Sequence, residues 1–239
     1  MKTHDTTHDT THDPAQFIRG LYAITPAMDD SFDGDSVDGD SLDGTTRLLV
    51  NVRAAIEGGA RIVQYRNKTA SHAKRIEHAI GLAAVCEKFG ALFIVNDDVE
   101  LALDVEADGV HLGKSDGAIT KARKRMGPKR LLGASCYDDL ALATAAREAG
   151  ADHIAFGSMF ASTTKPGAVR APFSLFAAAN SLGLPMVAIG GITRDNAAQV
   201  IGAGAHAVAV VSDLFDPSDA AGIRARAAQF TVLFNSTSR

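Results

Sequence analysis

The segment Ala91-Leu-Phe-Ile-Val-Asn-Asp97 is a short apolar run that ends on a carboxylate. The segment Asp108-Gly-Val-His-Leu-Gly-Lys-Ser-Asp116 comes next along the chain and has the same form, a short run of strand-forming residues followed by an acid. Short runs rich in Val and Ile are typical of strands buried on both faces of a parallel sheet. The two segments therefore predict neighbouring strands, each with an aspartate at its carboxyl end.

The same pattern recurs through the rest of the chain. Short apolar runs alternate with Ala-rich stretches that have helical spacing, and this alternation predicts an α/β fold, a (β/α)8 TIM barrel. The strands are predicted at 20–25, 61–66, 92–96, 109–112, 131–135, 153–157, 186–190 and 207–211, and helices at 47–57, 73–89, 138–149 and 194–201. Small residues recur before the second, fourth, sixth and eighth strands, which indicates a repeated βαβα unit with left-handed glycines at these junctions.

An open, doubly wound sheet is the alternative fold for an alternating pattern of this kind. Such a sheet is expected to carry a glycine-rich fingerprint after its first strand, and the segment Ile24-Thr-Pro-Ala-Met has none. The barrel is therefore the favoured architecture.

Two biased segments flank the first predicted strand. Residues 3–13 repeat Thr-His-Asp-Thr, and we expect a disordered tail at 1–16 because this repeat has no apolar residue to bury. Residues 29–44 are rich in Asp, Gly and Ser, and their spacing does not match a calcium loop, so we expect an acidic flexible insert on the active-site face. The remainder, within 17–239, is predicted to be a single barrel domain.

Composition narrows the class of function. The formal charge is −4 with no basic face or arm, which argues against nucleic-acid and anionic-membrane partners. No apolar run approaches the ~18 residues that a membrane span needs. The only two cysteines, Cys86 and Cys136, lie in unrelated contexts and indicate free thiols in a reducing compartment. We expect a cytoplasmic enzyme that acts on small molecules, and a homo-oligomer is left open.

The active site of such a barrel lies at the carboxyl ends of its strands. After the second strand, period-two alternation turns Gln64, Arg66 and Lys68 to one side and Tyr65 to the other. Arginine offers a fork for phosphate oxygens and lysine a point charge. Three polar groups on one side of a buried strand favour a phosphate-binding function over a solvated charge cluster.

Carboxylates follow the next two strands. Asp97 is predicted to face a metal while Asp98 caps the following helix. With Asp116 on the neighbouring strand end, Asp97 makes a hard-oxygen site suited to Mg²⁺, which takes one or two carboxylates plus substrate phosphates. His111 can either line the barrel or pack within it, and both a structural and a catalytic role are left open.

Further polar groups follow the last four strands. Ser135 can donate to a phosphate, and no Gly-x-Ser-x-Gly elbow indicates a serine nucleophile. Lys165 lies in a loop of small hydroxyl residues that can fold over an anion. The loops after strands seven and eight of such barrels often bind phosphate through backbone N–H groups, and Gly190 and Gly191 allow close approach. Two phosphorylated substrates are therefore expected.

Seven short motifs occur in this order between residues 21 and 215: Gln-x-Arg-x-Lys, Val-Asn-Asp, Asp-Gly-Val-His-Leu-Gly-x-x-Asp, Gly-x-Ser, Thr-Lys-Pro, Ile-Gly-Gly-Ile and Val-Val-Ser. Each is weak alone, but the ordered set resembles the thiamine-phosphate synthase (thiamine phosphate pyrophosphorylase) family. The resemblance implies a transferase that joins 4-amino-2-methyl-5-(diphosphooxymethyl)pyrimidine to 4-methyl-5-(2-phosphooxyethyl)thiazole. The products are thiamine phosphate and diphosphate, formed by a dissociative, Mg²⁺-assisted mechanism.

The resemblance also assigns residues to roles. Catalysis is implied for Arg66, Lys68 and Lys165, and Mg²⁺ binding for Asp97 and Asp116. The pyrimidine diphosphate is implied to bind Gln64, Arg66, Lys68, Asn96, Ser135 and Lys165. The thiazole phosphate is implied to bind Ser162, Thr163, Thr164, Gly191, Val211 and Ser212.

Three positions depart from the family pattern. Asn67 stands where the family often has an acid, Ser158 where it often has proline, and Ser162 where threonine is usual. None of these removes a charge that the chemistry uses. Two rival functions remain, a thiazole tautomerase of the same fold and a non-catalytic protein that binds a phosphorylated thiamine precursor. Neither would need the metal-binding aspartates together with the diphosphate-binding lysines.

Overall fold

A computed structural model of the chain describes residues 16–27, 42–113, 116–161, 167, 169–217 and 219–236, with the backbone alone at 116–118 and 236. Eight parallel strands close into a barrel in sequence order, and the last pairs with the first. The predicted (β/α)8 barrel is confirmed. The strands are β1 (Gly20–Ile24), β2 (Ile62–Tyr65), β3 (Leu92–Asn96), β4 (Gly109–Leu112), β5 (Leu131–Tyr137), β6 (His153–Phe156), β7 (Met186–Ile189) and β8 (Ala207–Val210).

Helices follow the strands within the described part of the chain. They are α1 (Gly44–Glu57), α2 (His72–Phe89), α3 (Val99–Asp104), α4 (Asp116–Met126), α5 (Leu140–Glu148), α6 (Ser174–Ala179), α7 (Ala197–Gly202), α8 (Ser212–Phe215) and α9 (Ala220–Ser236), with a 3₁₀ turn at Asn180–Leu182. Helix α1 begins three residues before its predicted start. The reason is a capping interaction, in which the Asp43 side chain accepts a hydrogen bond from the Thr46 backbone N–H at 2.9 Å.

The predicted left-handed glycines are confirmed at three of the four junctions. Gly59, Gly150 and Gly204 have φ between 94° and 113°. At the junction before β4 the prediction is wrong, because Glu106 takes the left-handed conformation with φ 52° and Gly109 lies inside the strand. Glutamate can adopt this conformation at a modest cost, so the sequence pattern alone does not identify which residue turns.

The residue before each of three even-numbered strands accepts a hydrogen bond from the preceding strand. Asp108 accepts from the backbone N–H of Phe93, and Asp152 accepts from that of Leu132, each at 2.7 Å. His206 Nδ1 accepts from the Met186 N–H at 3.1 Å. These side chains provide acceptors for backbone N–H groups near the beginning of the strands. The repeated βαβα unit therefore has a structural counterpart at the amino-terminal end of the barrel.

Apolar side chains form two buried layers on either side of the sheet. The larger layer lies between strands and helices, and the smaller fills the barrel interior with residues such as Ile24, Ile62, Ile94 and Val187. Alternation along the strands separates the two. The polar side chains of Gln64, His111 and His153 are also buried in the strands. The candidate site lies at the carboxyl ends of these strands.

Several expectations concern other features of the chain. Cys86 and Cys136 are both free, as expected, and both are buried. None of the helices in the described ranges is long and apolar enough to cross a membrane. The tail predicted at 1–16 lies outside the described residues except for Gln16. The insert predicted at 29–44 also lies outside them up to residue 41, and its last residue, Gly44, begins α1.

Candidate active site

The end of β2 separates its side chains as predicted. Gln64 is buried in the barrel, where its Nε2 donates to the Tyr22 hydroxyl at 2.8 Å. Tyr65 faces the other way, and its hydroxyl lies 3.1 Å from Nδ1 of His78 on α2. The Arg66 backbone N–H donates to Thr25 Oγ1 at 3.0 Å, which ties the exit of β2 to that of β1. The site is therefore braced from two neighbouring strands.

A tight turn after Arg66 places Lys68 at the mouth of the barrel. The Asn67 Oδ1 accepts from the Thr69 N–H, the Thr69 hydroxyl and the Ala70 N–H, each at 3.1 Å. Asn67 thus supplies the turn with an acceptor oxygen, which an acid at this position would also supply. Lys68 lies exposed at this turn, and its Nζ is 3.1 Å from Oδ2 of Asp97.

The two aspartates after β3 have separate roles. Asp98 accepts from the Leu101 N–H at 3.0 Å and pairs with Arg75 at 2.6 Å, so the prediction that it caps a helix is confirmed. Asp97 is exposed and has φ 62°, a left-handed conformation that aspartate tolerates better than most residues. This turn directs the Asp97 carboxylate towards Lys68 instead of towards the helix.

A histidine and a serine meet between β4 and β5. His111 Nε2 lies 2.9 Å from Oγ of Ser135, and His111 is buried, so it lines the barrel interior. Burial lowers the pKa of the His111 imidazole to about 4, although the nearby Asp97 carboxylate opposes that shift. His111 is therefore neutral at physiological pH and can act as a hydrogen-bond donor or acceptor but not as a cation.

The loops after β6, β7 and β8 come together on the far side of the mouth. Gly191 has φ 62°, and a Cβ at this position would lie 2.2 Å from the carbonyl oxygen of Ala161. Only glycine allows this approach. The Asn196 amide donates to the Gly191 carbonyl at 3.0 Å and holds the turn. Val211 immediately precedes α8 and the exposed Ser212 begins it.

The structure brings part of the predicted site together. Gln64, Arg66, Lys68, Asn96, Asp97 and Ser135 lie at the carboxyl ends of β2, β3 and β5, and Gly191, Val211 and Ser212 follow β7 and β8. The predicted residues Ser162, Thr163, Thr164 and Lys165 lie outside the described residues, as does the side chain of Asp116 at the start of α4. No cluster of three His, Cys, Asp or Glu suited to a metal occurs among the residues described.

Sequence reasoning missed the supports of the site. Tyr22, Thr25, Asn196 and His153 contact or neighbour predicted residues, yet each lies in a run that the sequence presents as an ordinary strand or helix. The period-two alternation of β1 could have placed Tyr22 in the interior. Nothing local indicates its partner Gln64, which lies 42 residues away.

A groove of about 1340 Å³ lies at the other end of the barrel. Residues at or before the amino-terminal ends of the strands line it, including Gly20, Arg61, Leu92 and Asp108. None of the predicted site residues that the structure describes borders it. Because chemistry in such barrels takes place at the carboxyl ends, we place the site at the opposite mouth.

Comparison with known proteins shows the family of the chain. Residues 36–214 match the family model described as thiamine monophosphate synthase. The chain belongs to this family. It is 51% identical to a thiamine-phosphate synthase of Methylobacillus flagellatus over 218 residues, covering 91% of this chain and 96% of the relative. A thiamine-phosphate synthase of Chromobacterium violaceum is 50% identical, with coverage of 89% and 97%.

A solved structure shows the same relationship. Thiamine phosphate pyrophosphorylase from Pyrococcus furiosus superimposes with a TM-score of 0.75 at 31% identity, covering 95% of this chain and 99% of that one. Membership of the thiamine monophosphate synthase family makes the chain an enzyme, a transferase of thiamine biosynthesis.

Proposed function

We propose that the chain condenses 4-amino-2-methyl-5-(diphosphooxymethyl)pyrimidine with 4-methyl-5-(2-phosphooxyethyl)thiazole, giving thiamine phosphate and diphosphate. The observation that carries this proposal is the Lys68–Asp97 pair, whose charged atoms lie 3.1 Å apart and exposed at the barrel mouth. A cation beside a carboxylate supplies a donor for diphosphate oxygens and a ligand for the accompanying metal.

The depth of the polar groups supports one orientation of the pyrimidine substrate. Gln64 is 4% exposed inside the barrel, whereas Lys68 lies exposed at the rim. A neutral amide suits a neutral heterocycle, and cations suit a diphosphate. The aminopyrimidine ring therefore points into the barrel and its diphosphate lies at the rim. The binding residues are Gln64, Arg66, Lys68, Asn96, Ser135 and Lys165.

The reaction needs no protein nucleophile. The bond from the pyrimidine methylene carbon to the diphosphate oxygen breaks, and the electron pair leaves with the diphosphate. Arg66, Lys68 and Lys165 stabilise the negative charge that grows on the leaving group, which lowers the barrier selectively in the transition state. The thiazole nitrogen then donates its lone pair to the aminopyrimidine methyl cation, and the new carbon–nitrogen bond completes thiamine phosphate.

Asp97 and Asp116 would hold Mg²⁺. The donor set fits this metal, because Asp97 presents exposed carboxylate oxygens at the mouth and Mg²⁺ needs only one or two carboxylates besides water and phosphate. When bound, Mg²⁺ supplies charge neutralisation to the departing diphosphate. The Asp97 turn, set by its left-handed backbone, keeps the carboxylate at the rim where such a ligand is needed.

The second substrate is assigned to the opposite side of the mouth. Its phosphate would be bound by Ser162, Thr163, Thr164, Gly191, Val211 and Ser212. The bare backbone at Gly191 and the exposed hydroxyl of Ser212 support this assignment, because an unchanging phosphate is commonly held by backbone N–H groups and hydroxyls. The thiazole nitrogen would then face the pyrimidine methylene across the barrel axis.

A diphosphate-release assay tests the proposal. Purified protein with both substrates and Mg²⁺ should release diphosphate and form thiamine phosphate in equal amounts, and EDTA should abolish both. Calorimetric titration of each substrate, with and without Mg²⁺, should show that the pyrimidine diphosphate needs the metal and the thiazole phosphate does not. A tautomerase or a binding protein would bind thiazole phosphate and release no diphosphate.

A further inference from the structure

Two imidazoles in the barrel interior meet over a glycine. In the strand register His111 pairs with Gly133, and Gly133 pairs with His153, so the three residues form one row across β4, β5 and β6. The ring centroids of the two histidines lie 5.6 Å apart. A Cβ at Gly133 would lie 2.4 Å from His111 Nδ1 and 2.3 Å from His153 Nε2. Both nitrogens therefore border the space that the missing side chain leaves.

These nitrogens are buried polar atoms that the described part of the chain leaves without hydrogen bonds. His111 Nδ1 and both ring nitrogens of His153 have no hydrogen-bond partner among the described residues. His153 has no exposed surface, and its other aromatic neighbour is the Tyr22 ring at 6.4 Å. Buried polar groups without partners are rare in folded proteins and call for a specific explanation.

The direction of the hydrogen bonds follows from the role of Ser135. Serine has a single hydroxyl proton, so a serine that donates it to a substrate phosphate can only accept in its contact with a ring nitrogen. His111 Nε2, 2.9 Å away, is the available donor, so it must carry the ring proton. His111 Nδ1 then has a lone pair, and that lone pair faces His153.

We propose that His153 is a positioning residue that donates a hydrogen bond, through one buried water molecule, to Nδ1 of His111. The bond fixes His111 with its proton on Nε2, and this proton holds the Ser135 oxygen so that the serine proton points to the pyrimidine diphosphate. The inference rests on the proposed function, because the role of Ser135 as a donor to the substrate phosphate sets the direction of these hydrogen bonds. Burial keeps both rings neutral, with the pKa of His153 lowered to about 3 and that of His111 to about 4.

Loss of the His153 donor has a defined consequence. His111 would then be free to carry its proton on Nδ1, and Nε2 would become an acceptor. Ser135 would donate to His111 instead of to the phosphate. Substrate binding would lose one charge-assisted hydrogen bond, which corresponds to about a tenfold rise in the KM for pyrimidine diphosphate.

The tautomer can be measured in the unmodified enzyme. Nitrogen-15 chemical shifts of labelled histidine distinguish protonated from unprotonated ring nitrogens, and the His111 signals can be assigned by comparison with a His111→Gln sample. We expect His111 protonated on Nε2 and unprotonated on Nδ1. A His111 ring protonated on Nδ1 would overturn the proposal without any variant of His153.

Kinetics test the link from His153 to Ser135. His153→Leu should raise the KM for pyrimidine diphosphate about tenfold and leave that for thiazole phosphate unchanged. His153→Gln, whose amide can still donate, should recover most of the loss. In a Ser135→Ala background His153→Leu should add nothing, because both changes remove the same contact. Additive effects of the two changes would refute the proposal.

A control separates positioning from packing. Val187→Ala removes volume from the same interior layer without a polar atom, so it should lower thermal stability and leave both KM values unchanged. If Ser135→Ala alone leaves the KM for pyrimidine diphosphate unchanged, the substrate assignment of Ser135 fails. Nitrogen-15 spectra of the unmodified enzyme and of His153→Leu then decide whether His153 sets the His111 tautomer, and an unchanged His111 spectrum in the variant would refute the proposal.

Discussion

Lys68 Nζ lies 3.1 Å from Asp97 Oδ2 across the carboxyl ends of β2 and β3. Their side chains are 60% and 46% exposed, and exposed ion pairs of this kind contribute at most about 1 kcal/mol to folding. The pair is therefore not a major stabilising element. Either residue can be replaced without unfolding the barrel, so the consequences of replacement report on chemistry.

Asp97→Asn should reduce turnover by at least about a hundredfold while the melting temperature stays close to that of the parent. Asparagine tolerates the left-handed backbone at this position, so only the charge and the metal affinity are lost. Steady-state assays over a range of Mg²⁺ concentrations, alongside thermal unfolding, measure both quantities. Full activity in the variant would refute the metal assignment.

Glu106→Asn provides the matched control for this change. Glu106 is also an exposed acid with a left-handed backbone, φ 52°, but it lies at the amino-terminal end of the barrel. The substitution should leave turnover and its Mg²⁺ dependence unaltered. A similar fall in both variants would mean that net charge, and not a ligand at the mouth, controls the rate.

Lys68→Met should lower kcat without weakening Mg²⁺ binding to the free enzyme. The ammonium of Lys68 repels a cation placed on Asp97, so its removal leaves the affinity of the carboxylate for Mg²⁺ equal or higher. Its attraction for the departing diphosphate is lost, and about 2–3 kcal/mol of transition-state stabilisation corresponds to a fall of roughly two orders of magnitude. Calorimetry with Mg²⁺ alone and a turnover assay separate the two effects. Weaker Mg²⁺ binding in the variant would contradict the assigned roles.

Asp152→Ala should destabilise the fold by about 2 kcal/mol without changing activity. The Asp152 carboxylate accepts from the Leu132 N–H at 2.7 Å and pairs with Arg123 at the amino-terminal end of the barrel. Removal leaves a strand N–H without its acceptor, which typically costs about 1–3 kcal/mol. Urea unfolding gives the loss, and Glu57→Ala, which breaks the surface pair with Arg53, should stay within about 0.5 kcal/mol. Equal losses in the two variants would show that the Leu132 contact is not the cause.

Folding stability should fall as the pH drops below 6.5. Burial lowers the pKa of His153 to about 3, so the unfolded chain takes up a proton in this range and the folded chain does not. Burial of His153 costs no folding free energy to protonation above pH 6.5. Below that pH the free energy of unfolding falls progressively, down to about pH 3. At pH 5 this one group costs about 2 kcal/mol, since each pH unit is worth about 1.4 kcal/mol.

His153→Leu should therefore flatten the pH dependence of urea unfolding between pH 7.5 and pH 5. Part of the slope should remain, because burial also lowers the pKa of His111, which faces His153. An unchanged slope in the variant would mean that the His153 ring is already protonated in the folded protein or reaches solvent.

Local rules explain why much of the fold could be predicted from sequence. Alternating short apolar runs and Ala-rich stretches predicted all eight strands, and the period of two correctly separated Gln64 from Tyr65. Asp98 was recognised as a cap because capping depends on residues three positions apart. These features lie within a few residues of one another along the chain.

The missed contacts join residues that are distant in sequence. His153 opens the run His-Ile-Ala-Phe, which reads as an ordinary buried strand, and only the register of β4, β5 and β6 brings its ring to His111. The Glu106 turn was missed for another reason, since a left-handed glutamate has no composition signal. Pairing register and backbone exceptions are decided by the closed barrel as a whole.

The two phosphate sites should separate in kinetics. Lys165 is assigned to the diphosphate, whose charge grows as it departs, whereas Ser212 is assigned to the thiazole phosphate, which the reaction leaves unchanged. Interactions that strengthen in the transition state affect kcat, and interactions of constant strength affect KM. Lys165→Ala should therefore mainly lower kcat. Ser212→Ala should raise the KM for thiazole phosphate about tenfold, for one charge-assisted hydrogen bond worth ~1.5 kcal/mol.

Because the Ser212 side chain is exposed, Ser212→Ala should change substrate binding without disturbing the fold. Its removal leaves no buried cavity, and its neighbour Asp213 keeps its own pairing with Arg226 at 2.8 Å, so the melting temperature should not change. Asp195→Ala, which removes an exposed acid after β7, is the control and should leave both KM values alone. If Ser212→Ala weakens only the pyrimidine diphosphate, the two substrates occupy the mouth in the opposite arrangement.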